Sequence, residues 1–153
     1  MNEKINKRSL LLLLVFTIIT LGIYGLYWHY KFAKDINTVC EGDGNHTRGL
    51  LACLFFGLIT LGIYNLVWLY MVEDRMQDNA PRYGFHIKEG GGTILLWYIL
   101  GTFIVVGPFI AAYILIKNIN ALGSAYNKYG LPVDESSNNF IEKKEKIGIS
   151  LDK

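Results

Sequence analysis

The chain has 153 residues with 15 Lys and Arg against 13 Asp and Glu, a net charge of +2, and 52% of its residues are hydrophobic while only 18% are charged. That length is one domain's worth and argues against a multidomain enzyme. The charged fraction lies below the roughly 25% of ordinary soluble domains, and a charge this mild, with no basic patch interleaved with aromatics, excludes nucleic acid as a partner.

The first element is a charge-free run from Ser9 to Tyr30, preceded by Lys4, Lys7 and Arg8. A basic start before a Leu-rich run resembles a signal peptide, but the run is long and lacks a small-x-small cleavage site, so an uncleaved anchor is expected. The second such run goes from Gly49 to Val72 and the third from Gly90 to Ile116. About 20 helical residues cross the roughly 30 Å hydrocarbon core of a bilayer, and each run is at least that long. The expected fold is therefore all-α: an integral, multi-pass membrane protein with three transmembrane helices over about 9–30, 49–72 and 91–116. Beyond the first run Phe32, Ile36 and Val39 keep helical spacing opposite Lys31, Lys34 and Asp35, and Ile119, Leu122 and Tyr126 do the same after the third. The helices are thus expected to extend past the membrane surface. Glu41-Gly42-Asp43-Gly44-Asn45, Asn79-Ala80-Pro81 and Glu89-Gly90-Gly91-Gly92 read as connectors. Residues 1–131 form the expected membrane domain, and 132–153 a polar tail, disordered or a short surface helix.

The runs repeat. Arg8 to Tyr30 aligns without a gap on Arg48 to Tyr70, with 14 of 23 positions identical around Ile-Thr-Leu-Gly-Ile-Tyr-x-Leu-x-Trp-x-Tyr. The third run is a degenerate copy in which Gly107 stands for Gly62, Pro108-Phe109 for Ile63-Tyr64 and Tyr113 for Trp68. The duplicated Thr-Leu-Gly-Ile-Tyr-x-Leu-x-Trp segment, with a third run carrying Gly-Pro and an Asn-rich exit at Asn118, Asn120 and Asn127, resembles the bacterial membrane family DUF4234, a domain of unknown function. The resemblance covers roughly residues 8–130, implies a bacterial cytoplasmic membrane, and brings no catalytic or binding residues.

Each part of the motif has a physical reading. Tyr24, Trp28, Tyr30, Tyr64, Trp68 and Tyr70 crowd the exits of the runs, where amphipathic rings favour the headgroup boundary. Thr20, Gly22, Thr60, Gly62, Gly101 and Gly107 are small or hydroxyl residues suited to close helix packing in lipid. Pro108 is expected to kink the third span. Cys40, Asp43 and His46 share a Gly-rich connector, but no second Cys or His pair stands at zinc spacing, so a solvated polar turn is the expectation and neither metal nor cofactor is assigned. No nucleophile has a base at a recognisable distance, and no catalytic role is expected.

Function is left between two classes: a helix-packing interaction or assembly component, as a homo-oligomer or with a membrane-protein partner, and a subunit of an oligomeric channel or transporter. Topology is divided too. Three Lys and Arg precede the first span, three lie between the first and second, and three between the second and third, so charge asymmetry does not orient the chain. Re-entrant hairpins turning at each Gly would keep every connector on one side, but their turn backbone would need burial. Three crossings are expected, with the N-terminal tail opposite the Cys40 connector.

Overall fold

The computed structural model of the protein describes residues 4–104 and 106–132, and the regular structure among them is helical throughout. The polar tail expected from residue 132 onward lies, but for its first residue, outside the described residues. Each apolar run folds as two helices packed on each other: α1 (Leu10–Ile19) with α2 (Ile23–Val39) and α3 (Leu50–Ile59) with α4 (Ile63–Asn79), each pair joined by a tight turn, and α5 (Gly91–Leu100) with α6 (Gly107–Tyr129). Short 3-10 turns follow α4 at Ala80–Tyr83 and α5 at Gly101–Ile104.

This overturns the three transmembrane helices. The spans expected over 9–30, 49–72 and 91–116 are each cut near the middle, and among the described residues no helix is long and apolar enough to cross a membrane. An integral, multi-pass placement in a bacterial cytoplasmic membrane falls with them. The cause is conformational: Leu21 and Gly22 have φ of 51° and 94°, and Leu61 and Gly62 of 51° and 91°, left-handed values that a continuing α-helix cannot contain. In the third run Pro108 produces no kink within a helix; it stands in the first turn of α6, where the missing N–H costs nothing.

The two turns are Schellman closures. Gly22 N–H donates to Thr17 O (2.8 Å) and Leu21 N–H to Ile18 O (3.2 Å), and Gly62 N–H donates to Gly57 O (2.7 Å) and Leu61 N–H to Leu58 O (3.4 Å). The repeated Thr completes them. Thr20 Oγ1 donates to Phe16 O (2.7 Å) and accepts from Tyr24 N–H (2.9 Å); Thr60 Oγ1 does the same with Phe56 O (2.7 Å) and Tyr64 N–H (2.9 Å). The helices of each hairpin also exchange bulk between repeats. Gly25 faces the Thr17 side chain in the first, whereas in the second Gly57 faces the Asn65 side chain, so the larger residue has moved from one helix to the other.

The core lies at the other end. Phe32, Ile36 and Val39 of α2, Val72 and Met76 of α4, and Ile119, Leu122 and Tyr126 of α6 form one buried cluster from the C-terminal halves of these three helices. Each helix packs on the next in the chain, and α6 also meets α1, so the ring of hairpins closes. Side-chain amides fasten it. Asn37 of α2 exchanges two hydrogen bonds with the Thr47 backbone (2.7 and 2.9 Å), just ahead of the second hairpin, and Gln77 of α4 donates to Ile87 O (3.2 Å), ahead of the third. Asn127 and Asn120 of α6 each exchange two with the backbones of Ile5 and Arg8, ahead of the first. All three connecting segments are thereby held at the core end, and the three turns lie at the opposite end.

Candidate functional site

Two features stand out: the turn end of the hairpins and a cavity beside the second hairpin. At the turns Leu21 is 94% exposed, Leu61 93% and Phe103 84%, and Ile18, Ile19, Ile23, Leu58, Ile59, Ile63 and Val106 are exposed around them. The residues expected to pack helices divide. A Cβ on Gly22 or Gly62 would meet nothing within 4 Å, so these glycines serve the turn, while Thr20 and Thr60 close it. Gly101 and Gly107 do mediate a close approach, since a Cβ on either would collide with the backbone of the other.

The aromatic residues divide as well. Tyr30 and Tyr70 are exposed, Tyr24 and Tyr64 half-buried, and both of the latter lie against the Phe of the partner helix at 5.2 Å, Phe16 and Phe56. Trp68 is buried: its ring stacks on His29 at 4.2 Å and its Nε1 donates to Arg48 O (2.8 Å), joining the first hairpin to the second. Trp28 stacks on Phe32 at 4.6 Å. Burial lowers the pKa of His29, which favours the neutral imidazole.

The cavity has a volume of about 660 Å³, within the range of small-molecule sites. Tyr64, Trp68, Tyr70, Met71 and Val72 supply its apolar wall, and Asp43, Asn45, His46, Thr47, Arg48, Asp74, Arg75, Asp78, Asn79 and Arg82 its polar part. Arg75 organises the floor. Its guanidinium binds both Asp43 carboxylate oxygens (2.7 and 2.9 Å), Asn37 Oδ1 (2.6 Å), Thr47 Oγ1 (2.8 Å) and Asn45 O (2.7 Å). Burial raises the Asp43 pKa, but hydrogen bonds from Arg75, the Asn45 backbone and Asn79 outweigh it and hold the carboxyl below its ordinary range. The polar connector is thus a clamped loop. Cys40 is fully buried beneath it, its thiol pushed up to about 12 by burial, while Asp43 and His46 line the cavity.

A smaller cavity of about 190 Å³ occupies the same place beside the first hairpin, lined by Lys7, Arg8, Tyr24, Trp28, Lys31 and Asp35 among others. With the repeats aligned, Arg8, Tyr24, Trp28, Lys31 and Asp35 correspond to Arg48, Tyr64, Trp68, Met71 and Arg75 of the larger one. Arg8 lies over Trp28 and Phe32 and pairs with Asp35 at 2.6 Å; Arg48 lies over Phe56 at 5.7 Å, and among the described residues no carboxylate pairs with it. Sequence reading missed both cavities. The signal was present in the repeat, as a change of charge from Asp35 to Arg75 and from Lys34 to Asp74.

The sequence model of the family described as Domain of unknown function (DUF4234) matches residues 8–78 and again residues 48–121. The chain belongs to this family. The first match takes in hairpins one and two and the second takes in hairpins two and three, so the degenerate third run fills the place of a second hairpin. No curated protein and no solved structure matches the chain.

Proposed function

We propose that the protein is an interaction or assembly component held on one leaflet of a lipid bilayer by the tips of its three hairpins, which enter from one side and turn back without crossing. The observation that carries this is the placement of Leu21 and Leu61. Both hold left-handed backbone at the most exposed point of a tight turn, where a non-Gly residue costs roughly 1–2 kcal/mol and glycine would be relaxed. A large apolar residue kept there twice, at that cost and away from any protein contact, serves an apolar surrounding.

Three further features support it. The helices leading to the tips, α1, α3 and α5, have 10 residues each, or about 15 Å of rise, half of a hydrocarbon core of about 30 Å. Arg8, Arg48 and Lys88 stand two or three residues before these helices, where they would meet lipid phosphates. Irregular backbone is costly in lipid when its polar groups are unsatisfied, but the N–H groups of residues 20–24 and 60–64 are all bonded within the turn.

The test is flotation with vesicles of the wild type and of Leu21→Gly with Leu61→Gly. Relieved strain should raise the melting temperature, while lost apolar contact, roughly 1.5–3 kcal/mol for a buried Leu, should weaken vesicle partitioning on the order of tenfold or more for each residue. Equal partitioning would remove the reading. Ion or solute flux through vesicles carrying the protein would favour a channel or transporter subunit instead.

A further inference from the structure

Resting on that reading, we infer that the cavity beside the second hairpin binds the headgroup of a zwitterionic phospholipid of the phosphoethanolamine kind, its phosphate on Arg48 and its ammonium on Asp74 and Asp78. The repeat isolates the site. In the first hairpin Asp35 takes the guanidinium of Arg8 at 2.6 Å and the ammonium of Lys31 at 3.4 Å, and the space left is about 190 Å³. In the second, Arg75 stands where Asp35 would and is committed to Asp43, and the cavity widens to about 660 Å³. Arg48 then has only a ring beneath it, and among the described residues neither Asp74 nor Asp78 has an ion-pair partner.

The charges choose the ligand. Three arginines, Arg48, Arg75 and Arg82, and three aspartates, Asp43, Asp74 and Asp78, line the cavity, with His46 beside them. Arg75 and Asp43 cancel each other, while Arg82, held by the neutral acceptors Asn79 Oδ1 (2.6 Å) and Glu41 O (3.1 Å), keeps its charge, so the cations Arg48 and Arg82 and the anions Asp74 and Asp78 remain. An anionic headgroup would satisfy Arg48 and leave Asp74 and Asp78 repelled; a zwitterion answers both ends. The order along the molecule agrees. The apolar wall begins at Tyr64, toward the tip; the Arg48 guanidinium lies over Phe56, which packs on Tyr64; Asp74 and Asp78 lie farther along α4, toward the core end. An anchored lipid presents acyl chain, phosphate and amine in that sequence.

The full chain is titrated with monomeric dihexanoyl phosphatidylethanolamine, dihexanoyl phosphatidylglycerol, inorganic phosphate and ethanolamine, and binding is read by calorimetry. The ethanolamine lipid should bind one per chain, at least tenfold tighter than the glycerol lipid and than either fragment. Arg48→Gln, and separately Asp74→Asn with Asp78→Asn, should each weaken it at least tenfold, with helical content and melting temperature confirming that the variants fold. Equal binding of the two lipids, or wild-type affinity in either variant, would overturn the assignment. Flotation of the wild type on vesicles of phosphatidylglycerol alone separates the two ideas: flotation without ethanolamine-lipid binding removes the headgroup site and leaves the tips, while binding without flotation removes the tips and leaves the site.

Discussion

Asp35 and Arg75 occupy the same position of successive hairpins and carry opposite charge. The inversion redirects every ion pair around it. Asp35 reaches back to Arg8 at the entrance of its own hairpin, whereas Arg75 reaches across to Asp43 and gathers the connector between α2 and α3. The identity of the two hairpins ends at Tyr30 and Tyr70, and beyond it this exchange of charge accompanies a cavity of about 190 Å³ beside the first and about 660 Å³ beside the second.

Arg75→Ala should be among the most damaging single changes. It strips the Asn37, Thr47 and Asn45 contacts from one guanidinium and leaves the half-buried Asp43 only its Asn79 and Asn45 hydrogen bonds; breaking a fully buried pair costs roughly 3–5 kcal/mol, an upper bound here. Arg75→Lys should recover little, because an ammonium cannot span both Asp43 oxygens along with Asn37 and Thr47. Thermal melting checks both, and a barely shifted melting temperature for Arg75→Ala would show that the connector holds without it.

Glu73 predicts a dependence of stability on pH. It is fully buried, with Oε1 taken by the Asn118 amide and Oε2 lacking a partner among the described residues. Burial pushes its carboxyl from 4.5 up to about 7, against the opposing pull of Asn118. A carboxyl raised on folding favours the protonated form in the folded state, so its effect on stability is absent below about pH 4.5, grows as an increasing loss up to about 7, and is constant above. That interval corresponds to about 3 kcal/mol. Glu73→Gln should flatten the profile and be the more stable protein at pH 8 but not at pH 4; parallel profiles would refute the assignment.

The N-terminal segment should depend on Asn120 and Asn127. Each amide makes two hydrogen bonds to backbone at Arg8 or Ile5, worth about 1 kcal/mol net apiece. Replacing both by Ala should free the segment and speed tryptic cleavage at Lys4, Lys7 and Arg8 several-fold. Unaltered cleavage would mean that Ile5 packing on Gly123 suffices.

Both cysteines should resist thiol reagents in the native protein. Cys40 is wholly buried, and burial that pushes its thiol up to about 12 leaves almost no thiolate at neutral pH; Cys53 is 4% exposed. Labelling at Cys40 should therefore track unfolding, and rapid labelling without denaturant would contradict its placement.

Much of this architecture was legible in the sequence, and the principal error has a definite source. The all-α class, the repeat and the helical extensions through Phe32, Ile36 and Val39 follow from spacing, and the structure has them. The break at Leu21 and Leu61 does not, because leucine is among the better helix formers and nothing local to it announces a left-handed residue; the Gly after it reads equally well as a packing position. Thr20 and Thr60, read from the sequence as packing residues, instead bond the N–H groups of Tyr24 and Tyr64 within the turns. The cavity was illegible for another reason: Arg48 and Asp74 stand at opposite ends of the second apolar run, and only the folded hairpin brings them to one space.

The amide that leads each hairpin comes from the helix before it, except in the first, whose leading segment waits for α6. A chain made from its N-terminus therefore has to form two hairpins in succession, each with its latch already in hand, while the opening segment stays unlatched until Asn120 and Asn127 exist. The same helix that completes the third hairpin thereby also fastens the first, so loss of α6 would release the segment at the opposite end of the sequence.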